Sequence, residues 1–437
     1  MPATVDSRAA LRMLRDAGVA TAVAALLALP LLGIRLSDTA QGAAPEYRPL
    51  WVLYAAMAVF VGRLAIGLGR NLLSESFAKL SRRADARPMD GPVKPGHDSK
   101  EKRLDLLVLA AMVALAMMLP LLPFAERNLV DRATLILIYV LLATGLNVVV
   151  GLAGLLDLGY VAFYAVGAYS YALLTQDFGL SFWAAMPVAG LIAAAFGLLL
   201  GFPVLRLRGD YLAIVTLGFG QIMHTVLVNW TELTGGPNGI SGIVRPSFFG
   251  LGFVAVPGEG ETSFADYFAL PFSPDHRIYF LYYLVLTIAL LAGLFAWRLR
   301  RAPLGRALEA LREDETAAIS LGLNPAVIKL SAFALGAFIA GIAGSLFATR
   351  QGFISPESFT FIETAIILAI VVLGGMGSQA GIVFAAILLV GLPEWFRELE
   401  DYRMVAFGAA MVLIMLWRPR GLTTRRSPSV LLKDSPS

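Results

Sequence analysis

Cysteine is absent from all 437 residues. That excludes disulfides, thiolate nucleophiles and cysteine-ligated metal sites. Histidine is nearly absent: His97, His224 and His276 are the only three, scattered along the chain. No metal site is therefore expected. Charge is scarce too. Asp, Glu, Lys and Arg make up 15% of the chain against 58% hydrophobic residues, where a soluble domain is about a quarter charged. No Gly-x-x-x-x-Gly-Lys-Ser/Thr phosphate loop occurs, so the chain has no ATPase site of that type. Paired acids, a His-metal motif or a serine-based site at catalytic spacing are also missing, which disfavours an enzyme. The net charge of +4 comes from basic residues in the connections between apolar runs. Nucleic acid is not an expected partner of such a distribution.

What is present is apolar sequence in long runs. They fall at 17–35, 50–69, 104–123, 133–151, 155–175, 183–204, 211–230, 278–298, 328–349, 361–377, 380–395 and 402–417. A bilayer crossing takes about 20 such residues. The expected fold is all-α: a polytopic transmembrane helical bundle of roughly 10–12 spans. The pairs 133–175 and 361–395 have very short internal connections, so each reads as two full spans or as a broken, re-entrant arrangement. The first run follows Arg8, Arg12 and Arg15 and exceeds the apolar core of a signal peptide, so it is read as a retained span.

Four regions follow: a two-span N-terminal extension (1–70), a flexible basic linker (71–103), a membrane core (104–420) and a tail (421–437). With the N-terminus in the cytoplasm, the linker, Arg206 and Arg208, the loop 298–327, and Arg418, Arg420, Arg425 and Arg426 all fall inside. The segment 231–277 then falls outside, and both termini are cytoplasmic.

Three membrane features are candidates for function. Glycine-rich breaks interrupt the apolar runs at Gly151-Leu-Ala-Gly154-Leu-Leu-Asp157-Leu-Gly159 and at Leu373-Gly374-Gly375-Met376-Gly377-Ser378. Irregular backbone at membrane depth needs protein or a water-filled cavity to satisfy it, and paired breaks point to a transport pathway. The other reading is a pair of tight turns at the membrane surface. Polar groups form the second feature: Asn147, Asp157, Thr216, Gln221, His224, Asn229, Glu363 and Thr364 lie in or near apolar runs. A charge there costs several kcal/mol without a partner or a cavity, which singles out Asp157 and Glu363 unless water reaches them at span ends. Candidate pathway or gating residues are thus Asn147, Gly151, Gly154, Asp157, Glu363, Gly374, Gly375 and Gly377. The third feature is the outer segment. Its turn formers Gly235, Gly236, Pro237, Asn238 and Gly239 suit a lid over a pore mouth, a surface facing an external partner, or a plain surface loop.

The loop 298–327 is the most informative. Pro303 marks a helix start, and Leu304, Ala307, Leu308 and Leu311 make one apolar stripe. A second short helix runs from Asp314 to Leu321, ended by Gly322. Two amphipathic helices under a membrane would offer a charged docking knob to a soluble partner.

The run Ala307-Leu-Glu-Ala-Leu-Arg-Glu-Asp-Glu-Thr-Ala-Ala, followed by Gly322 and Asn324, resembles the coupling loop of branched-chain amino acid ABC transporter permeases. The general Glu-Ala-Ala…Gly pattern of such loops is kept as Thr316-Ala317-Ala318…Gly322, with Thr in place of Glu. Gly145-Leu-Asn147-Val-Val-Val-Gly-Leu-Ala-Gly154, Leu205-Arg-Leu-Arg-Gly209-Asp210-Tyr211, Leu233-Thr-Gly-Gly-Pro-Asn-Gly239-Ile and Val372-Leu-Gly-Gly-Met-Gly-Ser378 resemble the M-type permease, which also carries an N-terminal extension.

The resemblance implies a multi-pass permease of a bacterial cytoplasmic (inner) membrane. Its partners are a smaller H-type permease subunit, two cytoplasmic ATPase subunits and a periplasmic substrate-binding protein. ATP and Mg would be bound by the ATPases and no cofactor by this chain. Branched-chain amino acids would be the cargo. Related permeases for urea and short amides share the core blocks, and an ion-coupled secondary transporter is the rival from another class. The docking surface for the ATPase is assigned to Arg306, Glu309, Arg312, Glu313, Asp314, Glu315, Thr316 and Gly322. The segment around Gly235–Gly239 is assigned to the binding protein.

Overall fold

The computed structural model describes residues 34–39, 42–47, 113–114, 116–121, 127–205, 207, 209–248, 251–253, 263–268 and 272–391. The chain divides into two units, 1–102 and 103–437. The spans expected at 50–69 and 402–417, most of those at 17–35 and 104–123, the tail, most of the linker, Arg206 and Arg208 lie outside the described residues.

In the first unit the described residues form an antiparallel hairpin, β1 (Ile34–Thr39) with β2 (Gly42–Tyr47). This corrects the boundary of the first expected span, because Ile34 and Arg35 belong to β1. The reason is local: Ile34-Arg-Leu-Ser alternates apolar and polar residues with a period of two, as a strand does and a membrane helix does not.

The second unit is helical. Helix α1 (Arg127–Leu146) runs without a stop into a π-helical turn, Asn147–Leu152. After an irregular stretch come α2 (Val161–Gln176), α3 (Phe182–Val204) and α4 (Asp210–Asn229). A long helix α5 (Asp275–Arg301) leads into two short ones, α6 (Pro303–Glu313) and α7 (Glu315–Ser320), and then α8 (Pro325–Gln351). The described chain ends with α9 (Phe361–Gly374), α10 (Gln379–Ala386) and a second π turn, Ile387–Gly391. A two-residue ladder pairs β3 (Ile240–Ser241) with β4 (Phe353–Ile354).

Among the described residues six helices are long and apolar enough to cross a membrane. They are Arg127–Leu152, Phe182–Pro203, Asp210–Asn229, Asp275–Arg301, Pro325–Gln351 and Pro356–Gly374. Helix α2, with 16 residues, and the Gln379–Gly391 helix are shorter than the roughly 20 residues a crossing needs. Both short helices belong to the pairs whose connections are tight in sequence, and both follow a glycine break. The architecture is a polytopic helical bundle with broken helices.

Helix α8 is its axis, packed against α1, α2 and α3. Two membrane helices gain little from apolar burial alone, so close contact depends on small residues. Gly341 faces Gly190 and Ala193 of α3, and a Cβ added at Gly341 would lie 2.9 Å from the Gly190 Cα. Gly344 lies against α2, where an added Cβ would meet the Ala168 nitrogen at 2.6 Å. Because the loop α6–α7 joins the end of α5 to the start of α8, those two termini mark one end of the bundle. The starts of α1 and α5 and the end of α8 gather at the opposite end around one cavity.

Candidate functional site

Helix α6 begins at Pro303, whose missing N–H suits a first turn, and is preceded by extended Ala302. At the other end Asp314 leaves helical geometry and caps α7, its carboxylate accepting from Thr316 N at 2.7 Å and Ala317 N at 3.0 Å. Gly322 follows α7 with φ +84°, a conformation that favours glycine. Asn324 then caps α8 by accepting from Ala326 N at 3.0 Å. The expected boundaries at Pro303 and Gly322 hold.

The apolar stripe of α6 faces the bundle. Leu308 and Leu311 are buried with Val148, Leu152, Ala153, Leu299, Ile328 and Ala332, and Leu304 and Ala307 pack at the edge. The loop is therefore seated on the first glycine break. Arg312 extends this contact: its guanidinium donates to the Gly151 carbonyl. Gly154, with φ +70°, leaves room for the Arg312 stem, since an added Cβ would fall 2.6 Å from its Cγ.

The eight docking candidates divide into two groups. Glu309 is turned back to Arg300 (2.8 Å), Glu315 to Lys329 (3.0 Å) and Arg312 to Gly151. These three tie the loop to the bundle. Arg306, Glu313, Asp314, Thr316 and Gly322 are exposed. Sequence reading missed three apolar residues beside them: Ile319, Leu321 and Val327 are 46%, 80% and 57% exposed. Leu321 and Val327 lie outside the α6 stripe, so helical periodicity could not flag them.

The two breaks meet. Asn147 opens the π turn, and its Oδ1 accepts from Gly377 N at 2.8 Å. Thr144 adds a second tie, donating to Gln379 Oε1 at 3.3 Å. Gly374 and Gly375 are buried, and an added Cβ at Gly374 would meet the Gly381 carbonyl carbon at 2.6 Å. A continuous set of contacts thus runs from Arg312 to Gly151, along the π turn to Asn147, and across to Gly377. Single π turns often occur at functional positions of otherwise regular helices.

The other pathway candidates sit apart. Asp157 is fully buried; one oxygen accepts from Gly159 N at 2.9 Å and the other has no hydrogen-bond partner. Thr216 of α4 accepts from the neighbouring Leu158 N at 3.0 Å. Glu363, in the first turn of α9, accepts from Tyr139 Oη at 2.5 Å. Of the pathway candidates only Gly154 is exposed; the rest are buried or half-buried within the chain.

At the opposite end, Gly236–Asn238 form a 3-10 turn with Pro237 and Asn238 exposed. The segment is held by β3–β4 pairing and by Gln176 Nε2 donating to Ser241 O at 2.7 Å. Beside it opens a cavity of about 390 Å³, lined among others by Arg127, Arg245, Arg277, Asp131 and Arg350. Arg350 clamps Asp131 through two hydrogen bonds, 3.0 and 2.6 Å. The rim is therefore strongly cationic. Among the described residues no three His, Cys, Asp or Glu side chains gather as metal ligands.

Comparison with known proteins gives a consistent picture. The model of the family described as "Branched-chain amino acid transport system / permease component" matches residues 128–415. A domain of unknown function matches residues 12–118. The high-affinity branched-chain amino acid transport system permease protein LivM of Escherichia coli K12 is 52% identical over 86% of this chain and 87% of its own length. Its Salmonella typhimurium counterpart is 51% identical over the same shares. The permease protein LivH of E. coli K12 is 26% identical over 66% of this chain and 91% of its own length. No solved structure matches.

Proposed function

The chain belongs to the permease component family of branched-chain amino acid transport systems, and from that premise we infer that it converts a push on the α6–α7 loop into movement of its broken helices. In this reading it is one permease subunit of an ATP-driven importer in a bacterial inner membrane, with the loop in the cytoplasm. A second, H-type permease subunit completes the membrane part. Two ATPase subunits dock at the loop, and a periplasmic binding protein delivers leucine, isoleucine or valine to the opposite end. The N-terminal extension, 1–70, and the basic linker, 71–103, are additions to the core at 104–420.

The observation that carries this reading is the line of contacts from Arg312 to Gly377 through Gly151 and Asn147. One end of it lies on the loop that the ATPase would grip. The other end touches both glycine breaks, where backbone bends at least cost. Exposed Arg306, Glu313 and Thr316, with the apolar Ile319, Leu321 and Val327, offer the gripping surface. A displacement of α6 then shifts the π turn and the α9–α10 break together, and rocks the helices between outward and inward access. The cationic cavity at the far end supports docking of the binding protein there, beside Pro237 and Asn238.

The test separates grip from transmission. Charge reversal at the exposed positions, Arg306→Glu with Glu313→Arg, removes the ATPase from the complex purified in mild detergent. Were ATPase retained in full and leucine uptake unchanged, the loop would have another role.

A further inference from the structure

We propose that the outward face of α4 forms one wall of the water-filled route taken by the amino acid. This rests on the transport reading above and names the part of the chain that meets the cargo.

Helix α4 is the least buried of the six spans. What its exposed face carries sets it apart. The exposed residues of α3 include Val188, Leu191, Leu198 and Phe202, and those of α5 include Leu291, Leu294 and Phe295. Hydrocarbon tails cover such side chains without cost. The exposed residues of α4 include the apolar Tyr211, Ile214 and Ile222. Beside them Gln221, Thr225 and Asn229 recur at helical spacing, where the exposed residues of α5 include Thr287 among apolar ones. The Thr225 hydroxyl and the Asn229 amide turn back to carbonyls of their own helix, at 2.9 and 2.8 Å. The Gln221 amide and the half-buried His224 imidazole have no hydrogen-bond partner among the described residues. Gln221 sits near the middle of the Asp210–Asn229 span, about 16 Å from its start and about 12 Å from its end at 1.5 Å per residue. Its side chain is too short to reach a headgroup. An unpartnered amide in hydrocarbon is strongly disfavoured, so lipid is the wrong occupant for this face.

Water is the right one. A cavity of about 70 Å³ opens between α4 and the start of α9, with Gln221, His224, Gly220, Thr360 and Phe361 in its lining. That volume holds several water centres, each needing roughly 10–15 Å³. A face with donors and acceptors at mid-span, apolar Ile214 and Ile222 beside them, and space in front suits a zwitterion with an aliphatic side chain. The facing wall belongs to the second permease subunit. The glycine breaks, being mostly buried, bend the route without lining it.

The cysteine-free chain makes a direct test available. Gln221→Cys and Thr225→Cys are each introduced alone into the full transporter, with Leu191→Cys and Leu291→Cys as lipid-face controls. Native membranes are treated with a charged, membrane-impermeant methanethiosulfonate reagent, which needs a thiolate and therefore water. The expected result is that Cys at 221 and 225 reacts about tenfold or more faster than the controls, and that saturating leucine with the binding protein slows the reaction. Reaction as slow as the controls at both positions would overturn the assignment, because lipid or dry protein then covers the face. Fast reaction that leucine leaves unchanged would overturn it too, since the crevice is then wet but off the route. Leucine uptake by the unsubstituted transporter is measured in the same membranes. Its absence counts against the transport reading, while the labelling rates are still read on their own.

Discussion

At the scale of the residue, three charged side chains, Glu309, Arg312 and Glu315, tie the loop to the bundle. Arg306, Glu309, Arg312, Glu313 and Glu315 look equivalent in sequence, since all lie on a short amphipathic stretch. Their roles separate only in three dimensions, because Arg300 and Lys329 approach from α5 and α8 and draw Glu309 and Glu315 inward. Lys329 is the sharpest case: its side chain is 3% exposed beside Glu315 at 19%. Removing one partner of a buried pair leaves an uncompensated charge, at about 3–5 kcal/mol. Lys329→Met is therefore expected to lower the Tm of the purified complex, and adding Glu315→Gln to restore most of the loss. Equal Tm for single and double variants would remove the pair from the account. Asn147 gives a second prediction. Asn147→Leu deletes the tie to Gly377 while keeping the bulk of the side chain, so leucine uptake falls at least tenfold with normal accumulation in the membrane. Unchanged uptake would mean that the two breaks move independently. Asn147 was visible in sequence as a polar residue in an apolar run; its partner, 230 positions away, was not.

At the scale of the element, much was legible because punctuation is local. Pro303 and Gly322 bracket the loop helices as expected, and the two glycine stretches fall at the ends of the Arg127–Leu152 and Pro356–Gly374 spans, before the short helices α2 and α10. The π turn at Asn147–Leu152 was not legible, since no residue type marks a single wide turn. Nor was the β1–β2 hairpin anticipated, because its alternation is short and adjoins a long apolar run. The outward stripe of α4 was hidden for another reason. Thr216, Gln221, His224 and Asn229 read as one set of polar residues, yet Thr216 is buried against Leu158 whereas Gln221 faces out. Packing also yields a prediction at this scale. Gly341→Val puts a branched side chain where α3 approaches to backbone contact. With no slack between α8 and α3, the variant is expected to fail to accumulate, while Ser331→Val at the edge of α8 is tolerated. Asp314→Ala removes the cap of α7 at a cost of about 1 kcal/mol. The expected result is weaker capture of the ATPase with unchanged insertion, read by co-purification from detergent.

At the scale of the whole molecule, the account is one of transmission from a gripped loop to bent helices. The buried core of α1, α2, α3 and α8 is close-packed, and a packed core resists internal deformation, so bending is expected at the breaks. Arg312 adds a polar tie between the loop and the first break to the apolar packing of Leu308 and Leu311, and its stem fills the space that Gly154 leaves. A charged hydrogen bond of this kind contributes about 1.5–3 kcal/mol, enough to bias two arrangements of the helices by more than tenfold. The most direct test is therefore Arg312→Gln in the assembled transporter, with ATPase co-purification and leucine uptake measured on the same preparation. The predicted result is full recovery of the ATPase with uptake reduced at least tenfold. Loss of both together would make Arg312 part of the grip, and normal uptake would contradict the line from Arg312 to the breaks.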